Sequence, residues 1–511
     1  MSASAPVEAP ALVRIAPLSF EIVEGISLTK LVVMMSALIS LFIDQSYGAV
    51  YGTIAAYASG SLGASADEFS WATVGYNACY WTVILLSPWL IRRYGRRSVF
   101  GLGHAFFGVT SFYLATTPSL HGFVIGRAIS GIAQGTFFVC SVATVLTLFP
   151  PKYRGIAFSV FSVLSLSAAA SGSFVGGWFL DHADWRAALA LYGALAAVAG
   201  LIVAGLLEAP GPERTAVHDW RGVELAFVAF FGFRFLSAYG ERRDWFGDES
   251  IVWFVALTVV AFAWFVVWEL RRGDRSFIRL NLFGTGNLAV GSILGFGLGA
   301  PLFGANNFLQ FAQSALGYPP STAGALLLLR IVAIVVVAPT AVLLVNANKI
   351  DVRIPVALGF VLVPLSYALL AEETTASSHF WMFATALVIS GAGFASLFSP
   401  VANVTIRSLP AAQATQGLAI FKMSLLMGGS VASTGLGIIY DHDAASYQSL
   451  LRGSASLGHL ANAGANLTAG AYASLVAQQA TILAFADNSK WVALAALPML
   501  PLVLMLKKPP A

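Results

Sequence analysis

Apolar positions in this chain run in long unbroken blocks. Stretches of about 20 residues, each long enough to cross ~30 Å of hydrocarbon as a helix, recur along the whole length. Blocks such as IVAIVVVAPTAVLLV (331–345) lack the apolar/polar alternation of a membrane-spanning strand, and in lipid a helix satisfies its own backbone. The pattern predicts an all-α integral membrane protein of fourteen spans. They begin near residues 30, 70, 98, 121, 154, 186, 220, 250, 284, 319, 351, 377, 411 and 487. Residues 1–29 read as an N-terminal arm, and about 441–486 as a long polar loop rich in Ala, Gly, Ser and Asn.

A repeat divides the spans. At an offset of 260, Ile129-Ser130-Gly131 recurs as Ile389-Ser390-Gly391, Phe138 as Phe398, Pro150 as Pro410, and Gly177-x-x-x-Asp181-His182 as Gly437-x-x-x-Asp441-His442. The fourth and fifth spans thus match the twelfth and thirteenth. An even shift means parallel halves related by an axis along the membrane normal, the relation found in major facilitator transporters. A shift of eight rather than six places two extra helices between bundles. The expected division is a six-helix bundle over 30–210, two linker helices in 211–275, and a second bundle over 276–511.

Composition agrees. Only 10% of the 511 residues are charged, against about 25% in soluble domains, and mean hydropathy is +0.79. With the N-terminus in the cytoplasm, 19 Lys and Arg fall on the cytoplasmic side, five lie outside and four are embedded. That bias places both termini in the cytoplasm. The net charge of +4 sits in loops and does not point to nucleic acid. The arm has no basic stretch followed by an apolar core, as a cleaved signal would. Cys79 and Cys140 fall in different helices and read as small core residues. No Walker loop, metal cluster or nucleophile–base motif appears, so no enzyme activity and no cofactor are expected.

The chemistry lies where the apolar pattern is broken. By these boundaries Asp44, in LISLFIDQSYGAVYGTIAAY, is the one embedded carboxylate of 24 Asp and Glu. A charge in hydrocarbon usually faces a polar cavity and serves transport. Burial disfavours a charged carboxylate and a nearby cation favours it, so a balanced site can load and release protons. A structural Asp tied to helix hydroxyls is the alternative. The embedded cations are Arg127, Arg234, Arg330 and Lys422. They make the interior net positive and favour an anionic or zwitterionic substrate if they face a cavity; snorkelling to an interface is the alternative. Asn306, Asn307, Gln310, Gln313 and Asn403 are candidate substrate contacts or helix-to-helix glue. Gly172, Gly176 and Gly177 permit close helix approach.

These features resemble the fourteen-helix drug:proton antiporters of the major facilitator superfamily, the EmrB/QacA type, over nearly the whole chain. The first-helix acid is Asp44 in Asp44-Gln45-Ser46. The loop after the second helix, G-x-L-x-D-R-x-G-R-[RK] in that family, reads Pro88-Trp89-Leu90-Ile91-Arg92-Arg93-Tyr94-Gly95-Arg96-Arg97. The fourth-helix R-x-x-x-G is Arg127 and Gly131. The fifth-helix G-P-x-x-G-G is Gly172-Ser173-Phe174-Val175-Gly176-Gly177. Pro88 replaces Gly, Arg92 replaces Asp, Ser173 replaces Pro, and Ala49 and Thr53 replace the usual Asn and Pro.

The resemblance implies a major facilitator fold and proton-coupled efflux of small amphipathic compounds or drugs by alternating access, powered by the proton gradient. It assigns Arg127 to the proton pathway. Arg93, Gly95, Arg96 and Arg97 become a latch between the second and eleventh helices, although Arg92 removes the acid such a latch uses. It also implies a bacterial inner membrane and a loop at 441–486 facing a periplasmic membrane-fusion adaptor and outer-membrane channel. The alternatives are a narrow transporter of an organic anion and, more remotely, a non-transporting sensor or scaffold.

Overall fold

The computed structural model describes residues 21–23, 26–149, 154–209, 211, 219–273, 276–375, 378–410, 413–454 and 468–507. Most of the arm expected over 1–29 lies outside them. Two short antiparallel strands, β1 (Glu21–Val23) and β2 (Ile26–Ser27), precede the helices. Among the described residues, fourteen helical segments are long and apolar enough to cross a membrane. The N-terminal bundle holds α1 (Leu28–Ser61), α2 (Ala66–Tyr94), α3 (Arg96–Thr116), α4 (Leu120–Gln134) with α5 (Phe137–Leu148), α6 (Arg154–His182) and α7 (Trp185–Leu206). The linker helices are α8 (Trp220–Tyr239) and α9 (Glu249–Arg272). The C-terminal bundle holds α10 (Gly286–Gly297) with α11 (Gly299–Ser314), α12 (Pro320–Asn346), α13 (Arg353–Glu373), α14 (Ala384–Arg407), α15 (Ala414–Ser454) and α16 (Ala469–Ala496). Helices α4 and α5 are one span, as are α10 and α11. An even number of spans puts Leu28 and Lys507 on one side of the membrane, here the terminal side. Val109, Leu201 and Trp253 are exposed on the outer surface, as hydrocarbon contact requires of a chain whose backbone bonds are internal.

The halves meet along two seams. The fifth span packs on the tenth, α6 on α12, and the second packs on the thirteenth, α2 on α15. A shift of eight spans maps the second onto the tenth and the fifth onto the thirteenth, so the repeat relates one seam to the other. Gly131 and Gly391 are equivalent in the same sense. A Cβ on Gly131 would lie 2.4 Å from the Tyr76 carbonyl of the second span, and one on Gly391 2.2 Å from the Arg330 carbonyl of the tenth. In each bundle the fourth helix presses directly on the second helix's backbone, as small residues allow.

The α6–α12 seam is closed at the far side. A Cβ on Gly177 would meet the Pro320 carbonyl at 2.3 Å, and one on Gly324 would meet Phe174 Cα at 2.6 Å. The Ser321 amide donates to Asp181 Oδ2 at 2.9 Å, which satisfies an orphan donor at the start of α12. Gly437, the repeat partner of Gly177, has nothing within 4 Å of its Cβ position. Gly177→Ala is therefore expected to destabilise by about 1–3 kcal/mol through overpacking. Gly437→Ala should be neutral or stabilising, since Ala is the better helix former. Thermal melting of the two purified variants checks this, and equal effects would contradict the closed seam.

The C-terminal region departs from the sequence expectation. The segment expected as a loop over 441–486 is helical at both ends: α15 runs to Ser454 and α16 starts at Ala469, with 455–467 outside the described residues. The last span begins at Gly470 rather than near 487. Asp487 and Lys490 neutralise each other one turn apart at 2.7 Å, and Tyr447 also donates to Asp487. Tyr472, inside the stretch expected as loop, lies in the first part of α16. Its Gln478 donates to the Ala315 carbonyl at the end of the ninth span, 2.6 Å away.

Candidate functional site

Asp44 sits on α1 with its side chain fully enclosed. Tyr80 of α2 donates to Asp44 Oδ1 at 2.7 Å. Lys422 of α15 places its ammonium 3.5 Å from Oδ2, an ion pair rather than a tight hydrogen bond. Lys422 also donates to Gln45 Oε1, and Gln45 Nε2 donates to Ser165 of α6. The Phe138 ring centroid lies 4.7 Å from the ammonium. On the other flank Gln134 donates to the Asp44 carbonyl at 3.3 Å and accepts from Tyr76 at 2.9 Å. The acid of the first bundle is thus held by the base of the second. In low dielectric such a pair is worth keeping only when both charges are present, and removing one leaves an uncompensated ion. Lys422 does not snorkel.

Arg127 is 1% exposed and lies in a cage of tyrosines. Its guanidinium carbon is 3.7 Å from the Tyr51 ring centroid, 4.0 Å from Tyr76 and 5.2 Å from Tyr47. Its Nε and Nη1 have no hydrogen-bond partner, and no carboxylate pairs with it among the described residues. Ring quadrupoles stabilise it instead, each by about 2 kcal/mol when desolvated. Tyr76 belongs to this cage, stacks on Tyr80 at 5.5 Å and bonds Gln134, so Arg127 and Asp44 share one network. The pattern could have shown it: Asp44, Tyr47 and Tyr51 share a helix face by spacing, as do Tyr76 and Tyr80.

Other candidates lie elsewhere. Gly172 and Gly176 pack on α1, with Cβ positions 2.4 Å from the Ser46 carbonyl and 3.0 Å from Thr53 Cβ. Arg234 of α8 donates to Ser430 of α15 and lies 5.6 Å from the Trp81 ring centroid, tying a linker helix to both bundles. Asn307 donates to Asn488 at 3.1 Å, and Asn403 donates to Asn346 at 2.7 Å. Both join helices. Gln310 is exposed, Gln313 is half-buried, and the Asn306 side chain lies outside the described set.

Two expectations need correction. Asp44 is not alone: Glu269 and Asp219 are also buried. They sit at the ends of the linker helices, where Ile278 donates its amide to Glu269 at 3.1 Å and Arg272 lies 3.5 Å from Asp219. The arginine motif also works within its own bundle. Gly95, at φ 81°, turns the chain between α2 and α3. Arg96 donates to the Ala143 carbonyl at 2.7 Å and Arg97 to the Ala204 carbonyl at 2.6 Å. The partner of the second span across the halves is the thirteenth, because two linker helices shift the count.

Residues 35–306 match the sequence model of the Major Facilitator Superfamily. The chain is 25% identical over 380 residues to the multidrug export protein EmrB of Escherichia coli K12, covering 74% of this chain and 73% of that one. It is 26% identical over 386 residues to the tetracenomycin C resistance and export protein of Streptomyces glaucescens, covering 74% and 70%. The crystal structure of the human organic anion transporter MFSD10 superposes with a TM-score of 0.57 at 12% identity, over 91% of this chain and 99% of that one, a likeness of fold alone.

Proposed function

Because the chain belongs to the major facilitator superfamily and is a multi-pass membrane transporter, we propose that it is a proton-coupled antiporter exporting small amphipathic compounds by alternating access. The observation that carries this reading is the buried Asp44–Lys422 pair, 3.5 Å across the two halves. A proton on Asp44 removes one member of an ion pair that joins the bundles, which links protonation to their relative position. The EmrB and tetracenomycin C relatives are export proteins, which supports the direction of transport. The charge bias supports an inner membrane with both termini in the cytoplasm. The seam is then closed on the periplasmic side.

The test is substrate-dependent proton flux in proteoliposomes with an imposed pH gradient, using ethidium as a lipophilic cation and fluorescein as an organic anion. Accumulation of either against its gradient, with matching proton movement, is expected. Transport indifferent to the pH gradient would overturn proton coupling. A narrower reading, an organic-anion transporter, is favoured by the half-buried Arg234 and the buried Arg330 beyond the paired Lys422. Ethidium outcompeting fluorescein on the wild type would refute it.

Residues 455–467, between the ends of α15 and α16, are the proposed docking point for a periplasmic adaptor of a tripartite pump. Replacing them with a Gly/Ser linker is expected to spare transport in vesicles and to abolish export from double-membraned cells. A replacement reaching 445–480 would not be informative, since it removes the buried Val476 and Ala480. Full cellular export by the 455–467 variant would rule out the adaptor role.

A further inference from the structure

The second bundle buries a cation that its own side chains leave uncompensated. Arg330 of α12 is 6% exposed. Gly391 packs on its carbonyl as Gly131 packs on that of Tyr76, so Arg330 holds the place in this bundle that Tyr76 holds in the first. There, three tyrosine rings enclose Arg127. Here, among the described residues, one ring faces the guanidinium, Phe394 at 5.8 Å, near the ~6 Å limit of such contacts. Tyr367 of α13 spends its hydroxyl proton on the Pro301 carbonyl at 2.7 Å. Arg330 Nε has no hydrogen-bond partner, and no carboxylate pairs with Arg330 among the described residues. A guanidinium keeps its charge inside a protein, and an uncompensated buried charge is strongly destabilising.

Arg330 also lines a cavity of about 30 Å³ between the halves. Leu166 and Ala170 of α6 form the wall from the first bundle, and Leu302 of α11, Leu327 of α12 and Phe394 of α14 line it from the second. Arg330 is the one lining residue with a polar side chain. About 10–15 Å³ holds one water-sized group, so the space suits one or two small groups and excludes an acid that carries a chain. Water would satisfy a donor but leave the charge. A divalent oxyanion would over-neutralise one guanidinium and find no further donors on the apolar walls, and burial without such bonds is costly. A singly charged monatomic anion matches both the charge and the volume.

We propose that Arg330 holds a halide ion, chloride under cellular conditions, as a fixed counter-ion between the two bundles. Because α6 brings one wall and α12 the cation, the seat forms where this seam is packed. It borders the Asp44 network, since Ser165, next to Leu166, accepts from Gln45, which itself accepts from Lys422. Binding needs neither a cargo nor a pH gradient, so it stands apart from the exporter reading.

The experiment is melting of the full chain in an uncharged detergent as chloride replaces gluconate at constant ionic strength, which holds charge screening fixed. Binding is read directly from chlorine NMR line broadening beyond that of the micelles alone. The wild-type melting temperature should rise saturably with chloride, as mass action requires of a ligand bound by the folded state, and bromide should act likewise. Arg330→Met should lose the rise and cut the excess broadening by about threefold or more. It should also melt in gluconate no lower than wild type, because an uncompensated charge has left an apolar site; a misfolded variant would melt lower. Arg330→Lys should keep part of the rise. Ala170→Leu, which fills the cavity from the other bundle and leaves the cation, should abolish it. A wild type indifferent to chloride, a rise retained by Arg330→Met, or an Arg330→Met protein that melts below wild type in gluconate would each overturn the proposal. An equal rise with acetate would make this a carboxylate seat and overturn it too.

Discussion

Asp44→Asn is expected to abolish transport driven by a pH gradient and to lower stability as well. The two effects have separate causes. An amide cannot exchange a proton, so the driving gradient loses its entry point. The same change strands Lys422, 4% exposed, without its counter-ion, and breaking a buried pair from one side costs about 3–5 kcal/mol. Lys422→Gln should destabilise by a similar amount, leaving the carboxylate with Tyr80 as its direct side-chain donor. The double variant Asp44→Asn/Lys422→Gln removes both charges and keeps similar volumes, so most of the lost stability should return while transport stays absent. Melting of the four proteins in detergent, with pH-driven uptake in proteoliposomes, resolves the cycle. Uphill transport by Asp44→Asn at the wild-type rate would take Asp44 out of the mechanism. A double variant no more stable than either single one would mean that the pair is not coupled.

The sequence shows the spans because hydrocarbon imposes a length and a composition on any helix that crosses it. It shows the repeat because close approach demands a small residue at the same place in each half, as at Gly131 and Gly391. It singles out Asp44, Arg127 and Lys422 as costly in an apolar segment. It does not pair Asp44 with Lys422, 378 positions later, because nothing local records which faces of α1 and α15 turn inward. Nor does it separate glue from site among the amides: Asn307 and Asn403 bond other helices, and only the packed structure says so. The end of the chain misled for a physical reason. Two opposite charges one turn apart neutralise each other within a helix, so Asp487 and Lys490 mark no boundary.

Arg127 provides the sharper test of whether burial here serves stability or transport. Its guanidinium is held by tyrosine rings rather than by an acid, and two of its nitrogens lack hydrogen bonds. A desolvated cation of this kind is a poor source of stability, since the cost of removing it from water offsets much of what the rings return. Arg127→Met keeps the length and apolar bulk of the side chain without the charge. It is expected to leave the melting temperature unchanged or higher. Transport should nevertheless fall at least tenfold, because Tyr76, freed of the cation at 4.0 Å, no longer holds Gln134 in place against Asp44. Arg127→Lys retains charge but not the planar face that lies over Tyr51 at 3.7 Å, and guanidinium and ammonium are not interchangeable at stacked sites. It should be impaired too, though less than Met. A variant set in which Met transports like wild type would reduce Arg127 to a packing residue. One in which Met unfolds the protein would make the cage a structural element and remove it from the proton pathway.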